Sequence, residues 1–383
     1  MMVKGFIFYR NGKIPFVITD NRMELFSDDE LMSEFTKENN FKTDYTLEGE
    51  CFGFTNQRQS ALFFVEYSLG YTCYLRCFII KMIGANEGYD SIGFQSPFLD
   101  DIFKYKYNYL DLVKEGVNLA ASSKIIYKIP FNLNSQQHEI SYCIGHNNSL
   151  GLLEDFDKKG ELFVSLQTSD IQELLNISVI ISRLAVFMTS HADVKMKHIT
   201  LYNKGIKRGW FFCPAVSEDV ISVYDFEFHE FDVMKYIPKI LNNIASDAGN
   251  KITKSVPLGH IRNDDNLFSP QRFMEQVMSF EYLFDKIDHQ KAQDSSYSLK
   301  KELMCMFDKF PQVLKEYSLS SDSASELIKE TRRTIAHGYA YYYDFKNDRK
   351  MQRLLFIMDD LIRRMSLLWM GFTEDEITDY PIF

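Results

Sequence analysis

The spacing of apolar residues differs between the two parts of this chain, and that difference limits the folds that the chain can adopt. Up to about residue 230, short β-rich runs alternate with Gly, Asn and Asp turns, as in GFIFYRNGKIPFVI around Asn11-Gly12. Beyond residue 268, apolar residues recur every three or four positions, which is the helical period. The pattern predicts an α+β fold with a β-rich domain over 1–250, a polar linker over 251–267 and an all-helical domain over 268–383.

Within the predicted β-rich domain, two segments have helical spacing, one that begins near residue 168 and one from about Asp232 to Ser246. A helix that begins at Thr168, Ser169 or Asp170 would carry its apolar residues, among them Leu174 and Leu184, on one face. The remaining predicted strands are GECFGFTN, ALFFVEYS, YTCYLRCFII, SKIIYKIPF, HEISYCIG and ELFVSLQT. The N-terminal domain is therefore predicted to be α+β in itself.

Four helices are predicted after residue 268, and together they predict a four- or five-helix bundle. Ser269-Pro270 is a typical start for the first helix, and Ser298 can begin the second, which Pro311 ends. Asp322 or Ser323 can begin the third, with Gly338 as its C-terminal cap. The last has an apolar stripe from Met351 to Trp369, which predicts a core face or a dimer seam.

Composition and segment lengths exclude several classes of protein. Apolar residues make up 45% and aromatic residues 15% of the 383 residues, far too much for a disordered chain. The longest apolar stretch, 176–188, is shorter than the roughly 20 residues that a membrane span needs, and it contains Arg183. The N-terminus lacks the features of a secretion signal. A cytoplasmic globular protein without membrane contact is expected.

Sequence motifs for metals and cofactors are also lacking. Six scattered cysteines favour free thiols, and Cys143-x-x-His146 has no second pair at zinc-site spacing. The chain contains no G-x-x-x-x-G-K-[ST] loop, no G-x-G-x-x-G turn and no G-x-S-x-G elbow. The sequence therefore predicts no metal and no cofactor.

The stretch ETRRTIAHGYAYYYDF, residues 330–345, concentrates the residues most suited to chemistry. Arg332 and His337 form R-x-x-x-x-H at the end of the third predicted helix, and Tyr339 extends the motif to R-x-x-x-x-H-x-Y. Chance alone would give such a pair about once in a chain of this composition, so its position carries the weight. The pair lies at the end of a capped helix in the all-helical region.

This region resembles the HEPN superfamily of helical ribonucleases, whose members carry R-x(4–6)-H at this point in a helical bundle. The segment FSPQRFMEQVMSFEYLFDKI, which contains Glu281, is similar to the first helix of the ApeA-type branch. The order of domains, with a β-rich domain ahead of the bundle, also resembles the architecture of that branch. The motif resemblance covers roughly the last 115 residues. Where family members usually have a polar residue after the arginine, this chain has Arg333, which keeps a donor and adds a charge.

The resemblance implies an endoribonuclease that acts as an antiviral, abortive-infection effector. It implies a homodimer with a shared cleft, transfer RNA as the substrate, and an N-terminal domain that senses a phage trigger or a small regulator. Arg332 and His337 would be catalytic, supported by Arg333, Glu281, Tyr339, Lys329 and Tyr341.

The chemistry of the two side chains fits RNA cleavage without metal. Histidine can move the proton of the 2′-hydroxyl near neutral pH, which typically contributes on the order of 10² to 10⁴ in rate. The planar fork of an arginine can hold the phosphorane that forms. The products would be a 2′,3′-cyclic phosphate and a 5′-hydroxyl.

Charge and aromatic residues around the motif suit RNA, although the whole chain has a net charge of −10. Residues 329–353 hold seven cations against three anions. The tyrosines at 339 and 341–343 could stack on bases, but packing in the helical domain is favoured for them.

Other interpretations remain open. Arg332 and His337 could be a dipole partner and a core imidazole, and Glu281 could simply pair with an arginine. Alternative functions are a toxin controlled by nucleotidylation of Tyr339, or a module that dimerises or binds RNA or a nucleotide without catalysis.

Overall fold

A computed structural model describes residues 2–27, 30–52, 58–82, 88–99, 124–144, 160–189, 195–216, 236–246, 268–315 and 317–378. The chain divides into two units: Met1–Ser182 with Val194–Glu227, and Arg183–Asp193 with Phe228–Phe383. Strands dominate the first and helices the second, so the α+β class is confirmed. The predicted linker 251–267 lies outside the described residues.

The first unit is built on antiparallel strands. In the order β3-β2-β1-β4-β5-β6 they form a six-stranded barrel, which closes because β3 also pairs with β6. From β6 the sheet continues through β12-β11-β7-β10-β9-β8. The strands are β1 (Met2–Tyr9), β2 (Gly12–Thr19), β3 (Arg22–Leu25), β4 (Thr43–Phe52), β5 (Gln59–Leu69), β6 (Thr72–Lys81), β7 (Ser91–Gln95), β8 (Lys124–Leu133), β9 (Gln136–Ile144), β10 (Gly160–Ser165), β11 (His198–Asn203) and β12 (Ile206–Phe212). The helices are α1 (Glu30–Asn39) and α2 (Ile171–Thr189), and α2 belongs to this unit only up to Ser182.

Alternating burial along the strands explains the barrel. In β1 the buried residues, Val3, Gly5 and Ile7, alternate with more exposed ones, so one face of the strand lines the core. The predicted β1–β2 hairpin is confirmed, but Tyr9 pairs with Gly12, so Arg10 and Asn11 form the turn rather than Asn11-Gly12. Each of the other predicted runs contains a strand, and the helix predicted after Asp170 is α2.

The second unit consists of helices. They are α3 (Ile237–Ser246), α4 (Pro270–Ile287), α5 (His289–Ala292), α6 (Leu299–Lys309), α7 (Gln312–Lys315), α8 (Ser321–Ala336), α9 (Arg349–Trp369) and α10 (Glu374–Thr378), with a 3-10 turn at Ala340–Tyr342. The sequence analysis counted α3 with the N-terminal domain, whereas in the structure it contacts the C-terminal helices. Asn243 Nδ2 donates to the carbonyl of Met370 at 2.8 Å.

Local sequence sets the helix ends. Ser269 caps α4, because its hydroxyl accepts from the Arg272 amide at 3.1 Å, and Pro270 follows it. For α8 the prediction of Asp322 or Ser323 as the cap is wrong. The cap is Ser320, which forms a reciprocal capping box with Ser323.

Helices α4 and α9 pack side by side around an apolar core. Phe273, Val277, Phe280 and Phe284 of α4 are buried, as is the α9 stripe from Met351 to Met365, while Leu368 and Trp369 are half-buried. A buried polar contact also joins the two helices, since Gln276 Nε2 donates to the Leu355 carbonyl at 3.0 Å. Most of the predicted stripe therefore serves the core of its own unit.

The described helices include no possible membrane span. In the described part of the chain, every helix is too short or too polar to cross a bilayer.

Candidate functional site

The C-terminal end of α8 positions the predicted catalytic pair. Gly338 has φ +85°, and its amide donates to the Ile335 carbonyl at 2.9 Å. The Tyr339 amide donates to the Thr334 carbonyl at 3.1 Å, which completes a Schellman motif. Gly338 thus ends the helix in the left-handed conformation that was expected at this position, directly after the C-cap residue His337. His337, the residue before it, has an exposed side chain and lies about 1.4 turns beyond Arg332.

Arg332 forms an ion pair with the first helix of the site. Its Nη2 lies 3.1 Å from one carboxylate oxygen of Glu281 on α4 and 3.2 Å from the other. The side chains are 41% and 36% exposed, so solvent and ligands can reach both. Arg332 Nε, in contrast, is buried and donates to no described atom. Glu281 therefore pairs with an arginine, and that arginine belongs to the motif.

Glu302 is a site residue that the sequence analysis missed. It lies on α6, which packs against α8, and its side chain is only partly exposed. The pKa of the Glu302 carboxyl is raised to about 7, with burial as the largest cause; the charge of Glu281 adds to the rise and the charge of Arg332 opposes it. Its spacing offered a clue, because Leu299, Glu302 and Met306 have the three-four period of a buried face.

Two of the predicted supporting cations are engaged in ion pairs along α8. Lys329 Nζ lies 3.0 Å from Glu326 and 3.7 Å from Glu330, and Arg333 Nη2 lies 2.7 Å from Glu330. These pairs are exposed, so each stabilises the helix by no more than about 1 kcal/mol. The acids neutralise part of the predicted positive charge on this helix.

Three tyrosines, Tyr339, Tyr341 and Tyr342, contact one another in pairs, and we call them the tyrosine cluster. The side chains are 49%, 71% and 68% exposed. The ring centroids of Tyr341 and Tyr342 are 4.5 Å apart, and Tyr339 lies about 6 Å from each, at 6.1 and 5.9 Å. Packing in the helical domain, favoured from the sequence, is therefore wrong for these three rings. Tyr343 differs, because it contacts the buried Phe345.

Four exposed cations form a second surface, the cation patch, which consists of Lys346, Arg349, Lys350 and Arg353. None of them has an ion-pair partner in the residues that the structure describes. They lie before and within the first turns of α9, where the positive end of the helix dipole disfavours cations. Helix stability therefore gives no reason for this charge.

The predicted absence of a metal site stays a prediction. The described ranges hold no group of three or more His, Cys, Asp and Glu side chains arranged to bind a metal, and His146 lies outside them. Comparisons with protein-family models, curated proteins and solved structures find no match for this chain.

Proposed function

We propose that the second unit is a metal-independent endoribonuclease of the HEPN superfamily, similar to the ApeA-type branch. One observation carries the proposal. The residues of the R-x-x-x-x-H motif, Arg332 and His337, are solvent-accessible at one capped helix end, and an exposed tyrosine cluster follows directly. A histidine can move the proton in cleavage of an RNA backbone, an arginine can stabilise the charge that develops, and exposed rings can stack on the bases.

In the proposed reaction His337 takes the proton from the 2′-hydroxyl of the substrate. The 2′-oxygen then forms a bond to phosphorus, while the bond from phosphorus to the 5′-oxygen breaks and that oxygen gains a proton from the protonated His337 or from a water molecule. Arg332 donates hydrogen bonds to the phosphorane oxygens, where charge develops. Glu281 holds the Arg332 guanidinium in place through Nη2, and the N–H groups of the two terminal nitrogens that Glu281 does not occupy can face a phosphate.

The cation patch supports the choice of RNA over an uncharged substrate. Its four cations have no acidic partners among the described residues, so the phosphates of an RNA backbone can pair with them. The adjacent tyrosine cluster would take unpaired bases, since stacking on an exposed ring contributes about 1 to 3 kcal/mol per base. An RNA loop or single strand presents both features.

The finer features of the function come from the resemblance. They are cleavage of transfer RNA in the cytoplasm, a role in abortive infection, and control by a phage trigger or small regulator at the β-rich unit. A homodimer would bring a second Arg332 and His337 to one cleft. On the helices, Met278 of α4 and Phe356 of α9 are 64% and 39% exposed, and such side chains suit a two-fold contact.

Neutralising the cation patch should weaken RNA binding. We expect the triple variant Lys346→Gln, Arg349→Gln, Lys350→Gln, in a His337→Ala background that prevents cleavage, to bind a single-stranded RNA at least about 10-fold more weakly at low salt. The slope of log affinity against log salt should fall by about 2, because each lost phosphate contact removes about 0.7. Fluorescence anisotropy over a salt series measures both quantities.

The matched control changes the same net charge elsewhere. Lys4, Lys37 and Lys204 are exposed in the first unit, and their replacement by glutamine should leave the salt slope unchanged. If the two triple variants lose affinity equally, general charge rather than the cation patch governs binding, and the proposed RNA surface is wrong.

A further inference from the structure

Three helices each contribute one charged residue to a single cluster: Arg332 from α8, Glu281 from α4 and Glu302 from α6. Glu281 binds Nη2 of Arg332, and Glu302 interacts with both Glu281 and Arg332 through their charges. The site therefore holds two carboxyl groups for one cation. When both are ionised, the three residues carry a net negative charge, which opposes a phosphate.

Arg332 and Glu302 also have complementary hydrogen-bonding capacity that this structure leaves unused. Arg332 Nε is a buried donor without an acceptor, and an unsatisfied donor of this kind costs about 1 to 3 kcal/mol. The Glu302 carboxyl is partly buried on the neighbouring helix, and it has neither a hydrogen bond nor an ion pair with a described residue. An ionised Glu302 is thus the natural competitor of Glu281 for this guanidinium.

We propose that Glu302 is a proton-controlled positioning residue for Arg332. With Glu302 protonated, Arg332 stays paired with Glu281 and can face a substrate phosphate. With Glu302 ionised, its carboxylate attracts the guanidinium and adds a negative charge beside the phosphate position. The consequence for RNA rests on the proposed function, whereas the coupling among the three side chains does not.

The surroundings of Glu302 fix the direction of the proton effect. Of the described groups on the packed helices, Glu281 on α4 raises the pKa of Glu302 and Arg332 on α8 lowers it, while burial is the largest cause of its rise to about 7. On α6 itself, Lys300 is occupied by Asp322 and Glu326, and Lys301 donates to the Ser296 carbonyl. Glu302 is therefore expected to change charge near neutral pH.

Thermal unfolding tests the coupling without RNA. Because the folded state raises the pKa of Glu302, it binds more protons than the unfolded state between about pH 4.5 and 7, so this group makes folding less favourable as pH rises through that window. Glu302→Gln removes the effect. The difference in Tm, variant minus wild type, should increase by about 4 °C or more from pH 4.5 to pH 8.

Two background variants make this measurement specific. In Glu281→Gln, loss of the neighbouring negative charge should lower the pKa of Glu302 and shrink the gain from Glu302→Gln. In Arg332→Ala, loss of the cation should enlarge that gain. The control Asp308→Asn removes an exposed carboxylate from the same helix and should produce no gain that grows with pH. Should Glu302→Gln fail to fold, the pH dependence of Tm in Glu281→Gln against the wild type gives the same test.

The pH profile of RNA cleavage tests the consequence. The ratio of kcat/KM for Glu302→Gln to that of the wild type should be near 1 at pH 6 and rise to about tenfold at pH 8.5, where most Glu302 is ionised. The ratio cancels the contribution of His337 and other groups.

The two experiments fail in different ways. A wild-type protein that cuts no RNA at any pH contradicts the proposed function, and the unfolding series still decides the coupling. If Glu302→Gln shifts neither the pH dependence of Tm nor the pH profile, Glu302 does not control Arg332 and the inference is overturned.

Discussion

His337→Ala should lower the rate of RNA cleavage by about 10² to 10⁴, the usual contribution of a general acid or base. Its stability should change by less than about 0.5 kcal/mol, because the side chain is exposed and the helix cap uses only the backbone amide, which donates to the Arg333 carbonyl at 3.1 Å. Single-turnover cleavage and thermal unfolding of the same preparation measure the two effects. A large loss of rate at unchanged Tm would show that His337 acts in the reaction and is not needed for folding.

His289→Ala is the matched control, since His289 is an exposed histidine of α5 that lies outside the motif and pairs with Asp285 at 2.8 Å. Its cleavage rate should equal that of the wild type. A folded His337→Ala protein that cuts RNA at the wild-type rate would show that another group moves the proton.

Arg332→Lys should retain less than about 1% of the activity even though it keeps the charge. An ammonium cannot present two aligned donors to a phosphorane, and loss of one such interaction costs about 10² to 10³ in rate. Stability should change by less than about 1 kcal/mol, because the pair with Glu281 is more than a third exposed. Kinetics and denaturant unfolding measure the two quantities.

The control for this substitution is Arg22→Lys in the first unit, where Arg22 Nη2 pairs with Glu24 at 2.9 Å. It should affect neither cleavage nor stability beyond about 0.5 kcal/mol. If Arg332→Lys stays fully active, a point charge suffices, and the role of a bidentate clamp is wrong.

The helices of the second unit were predictable because their determinants are local. Ser269 with Pro270 starts α4, and Gly338 ends α8, since only a residue that tolerates positive φ fits there. The start of α8 was misplaced by two or three residues. All four residues from Ser320 to Ser323 are of types that can cap a helix, and the reciprocal bond between Ser320 and Ser323 decides among them.

Strands that depend on distant partners were harder to find. β7 has only five residues, and it pairs with β11, about 100 residues further along the chain. Neither segment has a turn that would mark a hairpin between them. β3, with the sequence RMEL, is set by pairing with β2 and β6 rather than by its own residues.

At the site, sequence motifs found the arginine and histidine but not the surroundings of either. Glu302 could not be chosen from sequence, because its raised pKa depends on burial and on Glu281, which lies on another helix. The tyrosine cluster was misjudged because consecutive tyrosines have no period. In a 3-10 turn, Tyr341 and Tyr342 can both face solvent while Tyr343 packs on Phe345.

The chemical nature of the RNA ends tests the central proposal most directly. A purified protein incubated with RNA in excess chelator should produce 2′,3′-cyclic phosphate and 5′-hydroxyl ends, because the 2′-oxygen is the nucleophile and neither Arg332 nor His337 needs a metal. RNA with a 2′-deoxy nucleotide at the cut site should stay intact. Cleavage that requires added Mg²⁺, or that leaves 5′-phosphate ends, would contradict the mechanism, because a metal-activated water would then be the nucleophile.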